Sequence, residues 1–126
     1  MAALLAFGSA ACGTGDASKP DLPTSVSPGW SLKKSDSSPP PATLPKTGNA
    51  PQCWTADYAG EGSATVQICG YHSNESAFEA LQHLPPAANQ VQFQKGVYLV
   101  IVRWNNASQA GVTALVTAVQ KTLPGK

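Results

Sequence analysis

Charge is scarce in this chain: of 126 residues, eight are Lys or Arg and seven are Asp or Glu, leaving a net +1. No basic field exists to attract nucleic acid or an anionic membrane surface. No apolar run is long enough to span a bilayer. Cys-x-x-Cys and Gly-x-Ser-x-Gly are both missing, which excludes the common signatures of dithiol exchange and of the serine-hydrolase elbow. The Gly13-Thr14-Gly15-Asp16 stretch follows no strand signal, so it is not a phosphate loop. His72 and His83 are the only histidines; Glu75, Glu79 and His83 could hold a weak metal or an acid/base pair, but no third strong ligand is in sight, and no cofactor or metal is implied. A chain of this length is short of two ordinary domains, and the stretch from Pro51 to Lys126 can bury only a modest core.

The three cysteines divide the chain. Residues Ala2 to Phe7 are apolar, Gly8 to Ala11 are small, and Cys12 follows, the pattern of an export signal. No Lys or Arg precedes the apolar run, and a start upstream of Met1 is expected. The Gly8-Ser9-Ala10-Ala11-Cys12 ending resembles the lipobox of bacterial lipoproteins, over residues 1–12 only, with Ser9 where that family prefers Leu. The resemblance implies diacylation of Cys12, a lipid anchor in a membrane, and residence in the bacterial cell envelope. A simple cut that leaves Cys12 unmodified is the alternative.

Residues 13–50 are rich in Pro, Ser, Gly, Thr, Lys and Asp, with Pro39-Pro40-Pro41 at their centre, and read as a disordered linker. It would reach roughly 35 Å as a coil and about 120 Å fully extended. Gly29-Trp30-Ser31-Leu32 is its one apolar island, able to dock onto the domain or a partner. Leu44-Pro45-Lys46-Thr47-Gly48 matches the LPxTG signal of sortase substrates, but that signal requires an apolar segment and a basic tail directly after it. A chance match in a Pro/Thr/Gly-rich linker explains it.

Residues 51–126 read as one small α+β domain in the order ββαββα. The first hairpin runs from Cys53 to Tyr58 and from Ala64 to Tyr71 around Gly60-Glu61-Gly62, with Gly62 in the left-handed position. This register pairs Trp54 with Ile68, Ala56 with Val66 and Tyr58 with Ala64 on an apolar face. It sets Cys53 opposite Cys69 on the other face, so a disulfide is expected. A helix over Ala77–Leu84 would turn Phe78, Leu81 and Leu84 to the core, and Pro85-Pro86 would end it. The strand Val97–Val102 follows a turn at Lys95-Gly96 whose two alternative lengths leave its facing open. A last helix, about Gln109 to Leu123, carries Val112, Leu115, Val116, Val119 and Leu123 behind a Ser108 cap. The expected fold is a four-stranded, mainly antiparallel sheet with both helices on one face.

Chemistry is thin. Glu75, Glu79 and His83 share a helical face at four-residue spacing, a pattern usual for a solvated surface. Asn74-Glu75-Ser76 and Asn106-Ala107-Ser108 match glycosylation sequons, but each precedes a helix, where capping accounts for them. Tyr71 and Trp104, at strand ends, are the candidate binding aromatics for a glycan or peptide. The expected role is therefore that of an envelope-anchored binding module for an envelope protein or glycan. The alternatives are an exported enzyme built on His83, Glu79 and Asp57, and a subunit of an envelope complex.

Overall fold

The computed structural model describes residues 19–26, 29–40, 51–60 and 62–123. Cys12 and the Leu44–Gly48 motif lie outside them. The elements, in chain order, are β1 (Ser25–Val26), β2 (Trp30–Ser38), β3 (Gln52–Ala59), β4 (Ser63–Gly70), α1 (Asn74–His83), β5 (Gln90–Lys95), β6 (Tyr98–Asn105) and α2 (Gln109–Thr122). The fold is α+β: among the described residues six strands form one antiparallel, curled sheet in the order β1-β2-β3-β4-β6-β5. The expected four strands are present, and the segment read as linker supplies two more.

The β3–β4 hairpin has the anticipated register, Cys53 opposite Cys69, Trp54 opposite Ile68, and onward to Ala59 opposite Ser63. The Cys53–Cys69 disulfide is formed, with the two Cα atoms 4.1 Å apart. Gly62, however, does not adopt a left-handed conformation. Glycine is required in this loop by close approach instead. A Cβ on Gly62 would lie 2.3 Å from the Asn105 carbonyl oxygen, and one on Gly60 would lie 2.3 Å from that of Gly29. These contacts let the start of β2 and the end of β6 run tight against the hairpin tip.

At the second hairpin the turn is Gly96-Val97, with Lys95 opposite Tyr98. Gly96 has φ 59°, and Val97 does not share the positive φ, as a type II′ turn requires. Tyr98, Val100 and Val102 thereby share a face with Trp54, Ala56, Val66 and Ile68, while Leu99 and Ile101 join the disulfide face. All five residues from Tyr98 to Val102 are buried. A strand apolar on both sides needs cover on both. The two helices accordingly lie on opposite faces, and not on one. α2 packs Leu115, Val119 and Leu123 with Trp54, Val100 and Val102. α1 packs Ala77, Ala80 and Leu84 over Cys53, Cys69, Leu99 and Ile101.

Both caps are serines, Ser73 accepting from the Ser76 N–H at 3.0 Å and Ser108 from the Gly111 N–H at 3.1 Å. Asn106, with φ 58°, turns the chain from β6 into α2, a conformation that Asn tolerates better than most residues. The inward side of α1 is lined by alanines, and Phe78, expected in the core, is 52% exposed. Small residues let α1 sit close over the disulfide, where a phenyl ring would hold it off.

The N-terminal strands are joined to this core chiefly by Trp30. Its indole is 2% exposed, and its Nε1–H donates to the Gly111 carbonyl at 2.8 Å, across 81 residues of sequence. β2 pairs with β3 through a bulge between Leu32 and Lys34, and Val26 of β1 reaches the same core. Trp30→Ala should destabilise the fold by about 3–5 kcal/mol. A thermal melt should show Tm falling by more than about 10 °C. An unchanged Tm would show that residues 19–40 contribute nothing to the core.

Candidate functional site

Beyond the reach of α1, the disulfide face of the sheet is polar. The register stacks its side chains in rows across the strands. One row runs Asp36, Thr55, Gln67; the next runs Lys34, Asp57, Thr65, Arg103 and Gln90. This second row crosses β2, β3, β4, β6 and β5, and two of its neighbouring pairs are hydrogen-bonded. Thr65 Oγ1–H donates to Asp57 Oδ1 at 3.4 Å, and Arg103 Nε–H donates to Gln90 Oε1 at 3.0 Å. Thr55 Oγ1–H donates to Ser38 Oγ at 2.8 Å in the neighbouring row. Lys34, Asp57 and Arg103 are exposed, and the threonines are half-buried. Lys34 Nζ also lies 3.6 Å from Asp36 Oδ2, so charges of both signs are set side by side on this face of the sheet, with hydroxyl and amide groups between them. Such a surface can hydrogen-bond a polar ligand in both senses.

Next to this row, where β4 and β6 end, Ser63, Thr65, Arg103 and Asn105 line a shallow open depression of about 180 Å³, bordered by Ala64 and Trp104. Its lining suits a small polar group at the rim of a larger contact rather than an enclosed ligand.

The two candidate aromatics are not brought together. Tyr71 follows the disulfide end of β4 and is 4% exposed beneath α1. Trp104 pairs with Ala64 at the far end of the same strand, half-buried against the α2 side of the core. The exposure expected of Tyr71 from its strand-end position is removed by α1, which folds back over it. His83 and Glu79 are also apart from Asp57. The His83 Nδ1 lies 2.9 Å from the Glu79 carbonyl oxygen at the end of α1, whereas Asp57 sits in the polar row opposite Thr65. Among the described residues no three His, Cys, Asp or Glu side chains gather as metal ligands. Nor is any described helix long and apolar enough to cross a membrane.

Sequence reasoning passed over Lys34, Asp36 and Arg103. The first two lie in a Lys-Lys-Ser-Asp-Ser-Ser run with the composition of a linker, and only pairing with β3 gives them a face. No family model matches the chain, and no match was found among curated proteins or solved structures.

Two tyrosines set the alkaline limit of this architecture. Burial pushes Tyr58 up from 10.0 to about 12, and burial raises Tyr71 as well. The Tyr58 hydroxyl donates to the Pro23 carbonyl at 2.7 Å, while the Tyr71 hydroxyl finds no hydrogen-bond partner among the described residues. Both groups hold their protons more tightly folded than unfolded. Their contribution to stability is therefore complete below pH 10.0 and is lost as pH rises through about 12. Chemical denaturation across pH 8 to 12 should show a decline confined to the upper end of that range. At neutral pH, Tyr58→Phe should lose about 1 kcal/mol with its hydrogen bond, whereas Tyr71→Phe should be neutral or gain up to about 1 kcal/mol. Equal losses for both would mean that the Tyr71 hydroxyl has a partner.

Proposed function

We propose that this protein is an exported bacterial lipoprotein, acylated at Cys12 and anchored in the cell envelope, whose disulfide-bonded domain works as a binding module for an envelope protein or glycan. The observation that carries this reading is the polar row Lys34, Asp57, Thr65, Arg103 and Gln90, an ordered hydrogen-bonding surface that neither helix covers. Trp104 turns to the α2 face, on the other side of the sheet from that row, and its partly exposed ring is a separate platform for a glycan or peptide. Tyr71, enclosed beneath α1, supports the fold instead. The disulfide agrees with life in an oxidising compartment, since such bonds are rare in the reducing cytosol.

An exported enzyme is less well supported, because His83 is occupied with the carbonyl of its own helix and Asp57 with Thr65. Binding needs only an arrayed surface, which is present.

The test is the intact mass of the protein from its native membranes, with and without reduction and alkylation. The expected result is a chain beginning at Cys12 with added acyl mass, and alkylation of Cys53 and Cys69 only after reduction. An unacylated chain overturns the anchoring. For the binding surface, a photo-reactive residue at Thr65 should give a discrete envelope adduct that the same residue at Thr117, exposed on α2, does not. Identical patterns from the two positions would remove the polar row as the docking surface.

A further inference from the structure

The two edges of the sheet are built differently. The β1 edge carries several of the devices by which proteins prevent strand-to-strand association. β1 is two residues long, and β2 beside it has a bulge and the charges Lys33, Lys34 and Asp36. The β5 edge carries none of them between Gln90 and Gln94: no charge, no proline and no bulge, and among the described residues no strand pairs with its outer side.

The direction of its free backbone groups follows from the hairpin. A two-residue loop makes the flanking Lys95–Tyr98 pair a hydrogen-bonded one. By alternation, Lys95, Phe93 and Val91 turn their N–H and C=O groups toward β6, and Gln94, Gln92 and Gln90 turn theirs outward. The Trp104 N–H donates to the Asn89 carbonyl at 3.2 Å, which continues the inward set. β5 is also held firmly. The Gln90, Gln92 and Gln94 amides donate to the Pro85, Leu84 and Asn74 carbonyls below and beside α1. On the other face, the Lys95 ammonium donates to the Gln120 carbonyl of α2. An edge ordered in advance loses little entropy on pairing.

We infer that β5 is a homodimer interface, joining a second copy of this chain by antiparallel β5–β5 pairing centred on Gln92. The strand is self-complementary in that register. Gln92 meets Gln92 of the other copy on the two-fold axis, Gln90 meets Gln94, and Val91 meets Phe93. The outward backbone groups of Gln90, Gln92 and Gln94 all find partners, and the charged Lys95 falls opposite Asn89 rather than its own copy. The half-buried Val91 and Phe93 lose their remaining exposure. α1 lies over both β5 and β6. With strands ~4.8 Å apart, it and its copy would run roughly 10 Å from each other, a normal helix-packing distance. Phe78, the one large hydrophobic exposed among the described residues, is on this helix. Because the β1 edge is blunted, association closes at two copies and does not propagate. The contact is short, at the small end of specific interfaces, so the dimer dissociates on dilution. This inference does not depend on the anchoring or on the polar row.

Sedimentation of the full chain from micromolar to near-millimolar concentration tests it. The expected result is a reversible monomer–dimer equilibrium. Gln92→Lys, which sets two ammonium groups against each other at the axis, should leave only monomer at every concentration, although it also removes the hydrogen bond to the Leu84 carbonyl. In a Cys12→Ser background, Gln92→Cys should form an intermolecular disulfide on mild oxidation, and Thr117→Cys should not. A monomer throughout, or a dimer that Gln92→Lys leaves intact, overturns the inference. If Gln92→Lys lowers Tm, the cysteine pair decides: equal crosslinking from both positions also overturns it.

Discussion

The structure depends on one constraint, the burial of β6 on both sides. From Tyr98 to Val102 every side chain is apolar in body, and every one is buried. Alternation sends three of them to one face and two to the other, and neither set can be left in water without losing roughly 1.5–3 kcal/mol per large side chain. One helix cannot cover both faces. The chain therefore places α1 over Leu99 and Ile101 and α2 over Tyr98, Val100 and Val102. β4 and β5 flank the strand to satisfy its backbone. The disulfide falls beneath α1 because Cys69 pairs with Leu99.

The N-terminal strands solve a second problem of burial. α2 extends its apolar stripe beyond what the β3–β4–β6 surface can cover, and Trp30 and Val26 fill the remainder. The indole N–H would be an unsatisfied donor there without the Gly111 carbonyl. Glycine at position 60 is what allows the backbone of Gly29 to come close enough. A segment with few apolar residues thus joins the sheet through Trp30 and Val26, the partly buried Leu22 and Leu32, and its pairing with β3.

Function has to be sought where burial leaves off. With so few charges in the chain, the gathering of Lys34, Asp57 and Arg103 into one row is the main electrostatic feature of the polar face. Opposite charges held a strand apart create local polarity without a net field, which suits recognition at contact rather than attraction from a distance. The β5 edge offers the other kind of surface, backbone groups in a fixed line, and it faces away from β1 and β2. A polar face and a pairing edge can be used at the same time.

How much of this was legible depended on whether two signals agreed. The β3–β4 register was readable because apolar alternation and the opposed cysteines demand the same pairing. α2 was readable because its stripe of Val112, Leu115 and Val119 follows directly on the Ser108 cap. Where one signal stood alone it misled: Phe78 fits a helical stripe with Leu81, but Ala77 and Ala80 take the buried positions of α1 over the disulfide and Phe78 stays exposed. Gly62 fits a left-handed turn, but its role is to let Asn105 approach. The sequence by itself determined the first hairpin, the disulfide and the presence and order of the two helices, since these rest on local geometry and nearby pairs. Only the tertiary structure decided that the helices take opposite faces, that Trp30 and β2 belong to the domain, and which polar residues share a row. Those outcomes depend on contacts between segments distant in the chain, whose energies are set by the shape of the space left to fill.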